Sequence, residues 1–154
     1  EPIPFEVPVS EEDGRERAGS AAYDRILVDA PCTGLGALRR RPESRWRKSP
    51  QDVAPLAELQ GELLSAAVTG LRPGGVVAYV TCSPHLAETR DVVAAVLDQH
   101  RNELEELDAR GVLRRVSRNV PDLATPGSGG GRAQLWPHRH GTDAMSITLL
   151  RRRG

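Results

Sequence analysis

The stretch Tyr23-Asp24-Arg25-Ile26-Leu27-Val28-Asp29-Ala30-Pro31-Cys32 holds a short β-rich apolar run stopped by proline. A run of this length, bounded by a breaker, reads as a strand buried on both faces. Further along, Val76-Val77-Ala78-Tyr79-Val80-Thr81-Cys82 repeats the pattern and is closed by Pro84. Between the two, Ser49-Pro50-Gln51-Asp52 has the chemistry of a helix start: a hydroxyl cap, proline at the first position and an acid in the first turn. Leu56, Leu59, Leu63 and Ala67 follow at helical spacing, until Gly70 and Pro73-Gly74-Gly75 end the segment. Strand, helix, strand is a βαβ unit, because parallel strands need a crossover connection. The fold class is therefore α/β.

Working outward, Val92, Val93, Val96, Leu97, His100 and Leu104 fall on one face of a second predicted helix, from Glu88 to Leu107. A strand is expected within 112–120, and 125–132 reads as a Gly/Ser/Pro linker. Met145-Ser146-Ile147-Thr148-Leu149-Leu150 reads as a last strand, after the polar loop His138-Arg139-His140-Gly141-Thr142-Asp143. The first 22 residues carry prolines and a charged run without period, the mark of a loop or frayed terminus, which leaves one domain over 23–152.

Composition narrows the function. The chain has 154 residues, and 21 basic residues balance 21 acidic ones, so nucleic acid cannot be held by overall charge. Aromatics make up 3% of the chain, which excludes a stacking platform for many bases. No apolar run is long enough to cross a bilayer and no secretory h-region is present, which points to a cytoplasmic protein without a membrane partner. Basic charge is concentrated locally, in Arg39, Arg40, Arg41, Arg45, Arg47 and Lys48, with Trp46 among them. A charge run is often only a solvated face; this one follows directly on the Cys32 loop, where a substrate's phosphates would pass. Trp46 could stack a base, although packing beneath the loop is the simpler expectation.

In open parallel sheets, sites form at the carboxyl ends of strands. Both strands end in cysteine, as Asp29-Ala30-Pro31-Cys32-Thr33-Gly34 and Thr81-Cys82-Ser83-Pro84-His85. Neighbouring strands would bring two thiols and a carboxylate to one crevice, whereas a buried cysteine taken singly is commonly inert. Two other patterns lead nowhere. Gly127-Ser128-Gly129-Gly130-Gly131 follows no strand and is no dinucleotide loop. Cys82, His85, His138 and His140 lack structural-zinc spacing, so no metal is expected.

The two cysteine blocks, in this order, closely resemble the RNA cytosine-5 methyltransferases, in particular the bacterial Sun (RsmB-type) ribosomal RNA enzymes. The resemblance extends through Leu38-Arg39-Arg40-Arg41-Pro42-Glu43, Pro73-Gly74-Gly75 and Leu135-Trp136-Pro137-His138-Arg139-His140-Gly141-Thr142-Asp143. It implies a Rossmann-like class I methyltransferase sheet, mostly parallel with an antiparallel last strand. It further implies S-adenosylmethionine as cofactor, RNA (ribosomal RNA, 16S) as substrate, and a covalent route through a cysteine. By resemblance, Cys82 is the nucleophile, Cys32 assists product release, and Asp29 contacts the polar edge of the cytosine. Asp29 and Pro31 reach the edge of the cofactor site. His85 and the arginines are candidates to lower the Cys82 pKa, His85 more simply being an exposed loop residue. The family's glycine-rich cofactor loop has no match before Asp29, so the chain is expected to be the cysteine-bearing C-terminal half of that sheet, inactive alone, with a sheet edge at the first strand open to self-association. The competing expectation is a non-catalytic RNA-binding or partner-docking remnant of such an enzyme.

Overall fold

The computed structural model describes residues 23–119, 122–123 and 130–154. The segment expected to be a loop over 1–22, and most of the expected linker over 125–132, lie outside the described residues. Strand β1 (Tyr23–Asp29) pairs in parallel with β2 (Leu71–Thr81), Ile26 opposite Val77 and Asp29 opposite Val80. On its other side β2 pairs antiparallel with β5 (Ser146–Arg152), Val77 opposite Leu150 and Thr81 opposite Ser146. The far edge of β5 receives two short strands, β3 (Leu104–Leu107) and β4 (Ala133–Gln134), both antiparallel to it. The order is thus β1-β2-β5-β3, with β4 beside β3's end of the ladder. Four strands share one direction and only β5 runs against them, which is the mostly parallel sheet with a reversed last strand that the resemblance implies.

The crossover from β1 to β2 is made by helix α2 (Val53–Gly70), which follows a short helix α1 (Ser44–Arg47). Ser49 and Asp52 form a capping box at the 3₁₀ turn Pro50–Asp52 that opens α2, satisfying backbone donors the helix cannot. Helix α3 (Arg90–Gln99) packs beside α2 on the same face of the sheet. Leu64, Ala67, Val68 and Leu71 meet Val77 and Tyr79 of β2, Val92, Val93 and Val96 of α3, and Leu150 of β5 in one core. Leucine and valine do the work that aromatic residues do elsewhere, since Tyr79 is the one aromatic in that cluster.

Four expectations are corrected. The first strand is not buried on both faces: it is the edge of the described sheet, and Leu27 is 69% exposed. The second helix stops at Gln99 instead of Leu107, because Leu104–Leu107 pairs with β5 across the chain, a long-range contact that overrides the helix preference of Leu and Glu. The expected strand within 112–120 is instead helix α4 (Ala109–Val116), whose first turn is capped by the Asp108 carboxylate accepting from Gly111 N–H at 3.0 Å. The loop before the last strand contains a short helix α5 (Pro137–His140), closed by Gly141 in the left-handed conformation. No helix among the described residues is long and apolar enough to cross a membrane.

Candidate active site at the carboxyl ends of β1 and β2

β1 and β2 run in parallel, so their carboxyl ends open to the same side. Ala30 N–H still donates to Val80 C=O at 3.0 Å; beyond it Pro31, with no N–H to give, releases the chain from the sheet. Past these points Cys32 and Cys82, fifty residues apart in sequence, place their sulfurs 3.4 Å from each other. Both are free thiols, partly buried. The pair is asymmetric. Cys82 is brought down to about 6, chiefly because it accepts the hydrogen bond of Cys32, which outweighs its own burial and the nearby charges of Asp29 and Asp143. Cys32 is pushed well above the ordinary thiol range, first because its proton is shared with Cys82 and then by burial. The two shifts point the same way: of the pair, Cys82 is the thiol disposed to ionise and Cys32 the one disposed to keep its proton.

Backbone geometry sets this contact. Gly34 adopts φ 71°, a left-handed turn that side chains disfavour. Gly36 threads between two backbones: its N–H donates to Cys82 C=O at 2.9 Å and its C=O accepts from Ala144 N–H at 2.9 Å. A Cβ on Gly36 would lie 2.1 Å from Ala144 O and 2.7 Å from Cys82 O, so only glycine lets the three segments meet. Asp143, on the same loop as Ala144, is buried and accepts from Arg40 Nε at 2.8 Å and Arg40 Nη2 at 2.5 Å, with Arg39 at 3.7 Å. The paired guanidinium holds the Asp143 carboxyl below the usual carboxylate range.

The other expected site residues fall as follows. Asp29, the last residue of β1, is exposed at the mouth of the crevice, as is Pro31. Of the basic cluster, Arg39 and Arg40 are engaged with Asp143, while Arg41, Arg45, Arg47 and Lys48 are exposed and form no ion pair among the described residues. Trp46 does not pack beneath the loop: it stands on α1 at 84% exposure, because a four-residue helix buries no face. His85 is exposed, and its Nδ1 accepts from Ala87 N–H at 3.2 Å; the proton of Cys32, not His85, depresses Cys82. A cleft of about 540 Å³ opens beside the cysteine loops, bounded by Thr33, Leu35, Lys48, Pro50, Val53 and His85. Sequence reasoning missed a buried network of Thr33, Gln60, Ser83 and Glu88 directly behind the sulfurs. Part of its signal was available, since Thr33 and Ser83 each follow a cysteine; Glu88, the one buried residue of the turn Leu86–Glu88, carried none.

The family model for 16S rRNA methyltransferase RsmB/F matches residues 3–151. A protein of Mycobacterium tuberculosis named as a methyltransferase is 58% identical over 140 residues, covering 91% of this chain and 29% of that protein. Ribosomal RNA small subunit methyltransferase B of Salmonella typhi is 44% identical over 94 residues, 59% of this chain and 22% of that protein. Among solved structures, NSun6 from Pyrococcus horikoshii with SFG superposes at a TM-score of 0.69 with 27% identity, covering 92% of this chain and 33% of that one. The chain thus spans less than a third of these curated relatives. With the fold and the sequence match in agreement, the chain belongs to the 16S rRNA methyltransferase RsmB/F family.

Proposed function

We propose that the chain is the cysteine-bearing portion of an S-adenosylmethionine-dependent methyltransferase that modifies carbon 5 of cytosine in RNA, 16S ribosomal RNA in particular. The observation that carries the reading is the pair of thiols 3.4 Å apart at the carboxyl ends of two parallel strands. Carbon 5 of cytosine is a poor nucleophile. The Cys82 thiolate adds to carbon 6, moving the ring electrons toward carbon 5, and so divides one hard step into two easier ones. Asp29, exposed at the mouth, faces the polar edge of the base and favours a proton on its ring nitrogen. Once Cys82 is a thioether it no longer accepts the proton of Cys32, and the cause that held the Cys32 thiol so high is gone. Cys32 is then able to release its own proton to water, take the proton from carbon 5 in its place and let Cys82 leave as a thiolate while carbon 5 and carbon 6 regain their double bond.

S-adenosylmethionine supplies the methyl group as a sulfonium, and the relative solved with SFG supports a cofactor of that kind. The residues present fit the edge of such a site: Asp29 and Pro31 are exposed at the carboxyl end of β1, where doubly wound sheets bind ligands. Arg41, Arg45, Arg47 and Lys48 offer exposed cations to phosphates, with Trp46 exposed among them for stacking. Arg39 and Arg40 tie that cluster to Asp143 beside the crevice. A base must leave its stack to meet Cys82, so the substrate is a loop or an opened helix.

The test is covalent trapping. Within an enzyme complete with its cofactor-binding segment, RNA carrying 5-fluorocytosine is expected to form an adduct at Cys82. Cys82→Ala should abolish it and Cys32→Ala should retain or accumulate it. Adduct in Cys82→Ala and none in Cys32→Ala would reverse the two roles.

A further inference from the structure

Glu88 has no exposed surface, and the thiol chemistry above does not use it. Its carboxylate accepts from Thr33 N–H at 2.7 Å, the Thr33 hydroxyl at 2.6 Å, the Ser83 hydroxyl at 2.6 Å and the Gln60 amide at 3.2 Å. These four donors fill the acceptor sites of a carboxylate that has nothing to donate. Thr33 follows Cys32 and Ser83 follows Cys82, so one side chain grips both loops a single residue beyond each sulfur. The same Gln60 amide donates to Pro31 C=O at 2.7 Å, on the other side of Cys32, and the Tyr79 hydroxyl donates to Glu88 C=O at 2.8 Å.

Glu88 forms no salt bridge among the described residues, so hydrogen bonds alone hold a charge away from water, a costly arrangement for mere packing. Glutamine at this site would turn an N–H₂ group toward donors and lose two acceptor positions. The negative charge of Glu88 also opposes ionisation of Cys32.

We propose that Glu88 is a positioning residue for the thiol pair, setting the separation of Cys32 and Cys82 through its hold on Thr33 and Ser83. The role deepens the reading above and rests on it, because it matters only if Cys82 is the reacting thiol.

The experiment is the pH profile of iodoacetamide alkylation at Cys82, followed by peptide mass spectrometry in the chain and its variants. The parent midpoint is expected near 6. Glu88→Gln frees both loops, and the loosened sulfur contact should raise it by about one pH unit, against the smaller opposite effect of losing a nearby negative charge, and slow alkylation at pH 6 about fivefold. Should Glu88→Gln fail to fold, Ser83→Ala and Thr33→Val each remove one hydroxyl from the carboxylate and should raise the midpoint in the same direction, while Thr33→Ser restores the parent profile. A structural role alone would lower the melting temperature of these variants and leave the midpoint where it was, so folded variants with the parent midpoint overturn the proposal. The 5-fluorocytosine adduct separates the two readings. No adduct at Cys82 in the complete enzyme removes both, whereas an adduct with an unmoved midpoint in the variants removes only the role of Glu88.

Discussion

A thiol with a midpoint near 6 is mostly thiolate at neutral pH, where an ordinary cysteine is only a few per cent ionised. The first cause of that lowering is the hydrogen bond from Cys32. Cys32→Ala removes the donor and leaves burial, which acts in the opposite direction. The pKa of Cys82 is depressed, so its thiolate exists above pH 6 and is lost as pH falls through it; in Cys32→Ala that window moves up toward 9.0, the ordinary value. Alkylation of Cys82 at pH 7 should fall by about tenfold to a hundredfold, read by stopped-time labelling across pH. An unchanged profile would mean that another group holds the thiolate. The same scale explains Gly36. Gly36→Ala drives a methyl group into the carbonyls of Ala144 and Cys82, and overpacking of this kind costs about 1 to 3 kcal/mol. The variant should melt lower and label Cys82 more slowly, because one of the two carbonyls that must yield, after that of Ala144, is that of Cys82 itself.

At the scale of elements, α1 is too short to bury a face, and what it does is display charge. Arg45 and Arg47 lie on it, with Arg41 just before and Lys48 just after, all exposed. If the cluster contacts RNA phosphates, replacing Arg41, Arg45 and Arg47 with Ala removes three counterion-releasing contacts. The slope of log affinity against log salt for a single-stranded RNA should then shrink by about 2. Filter binding at several salt concentrations measures it, and a slope that does not move would make the cluster a solvated surface. Arg40→Ala should behave differently, since it frees the buried Asp143 carboxylate next to Ala144 and Gly36 and so disturbs the crevice itself.

Which elements could be read from the residues follows from where their determinants lie. β1, the regular part of β2, α2 and β5 carry their signals locally: apolar runs, a capping box and prolines at the ends. The cysteines were legible because they sit just past those strands. β3 was not, because Leu104-Glu105-Glu106-Leu107 has the composition of a helix and becomes a strand only through its pairing with β5, with Glu105 bound to Arg151. α4 was hidden in the same way: its stripe of Ala109, Val112, Leu113 and Val116 is short, and its cap, Asp108, lies just outside the segment first suspected. Glu88 escaped notice because its partners are brought together by the fold, from as far away as Thr33 and Gln60.

At the scale of the whole molecule, the sheet has two unlike edges. One is broken into β3 and β4 and backed by α4, with Arg151 and Glu105 paired across it, features that discourage further strands. The other is β1, a continuous seven-residue strand that shares only the ion-pair feature, Asp24 with Arg72 of β2. Its outer edge has no strand partner among the described residues, Leu27 is 69% exposed and Tyr23 39% exposed, and only Asp24, Arg25 and Asp29 contribute charge. Buried on both faces, as its sequence reads, β1 would be a central strand; among the described residues it is an edge. An apolar edge with free N–H and C=O groups is a template for another strand. The 154-residue chain on its own should therefore associate with increasing concentration, and Leu27→Lys, which places a charge on the exposed face without touching the core, should weaken that association while leaving the melting temperature near the parent's. Sedimentation velocity over a concentration series reads both. A parent that stays monomeric throughout would show that the β1 edge is protected by some other means, and a Leu27→Lys variant that associates as strongly as the parent would place the contact on another surface.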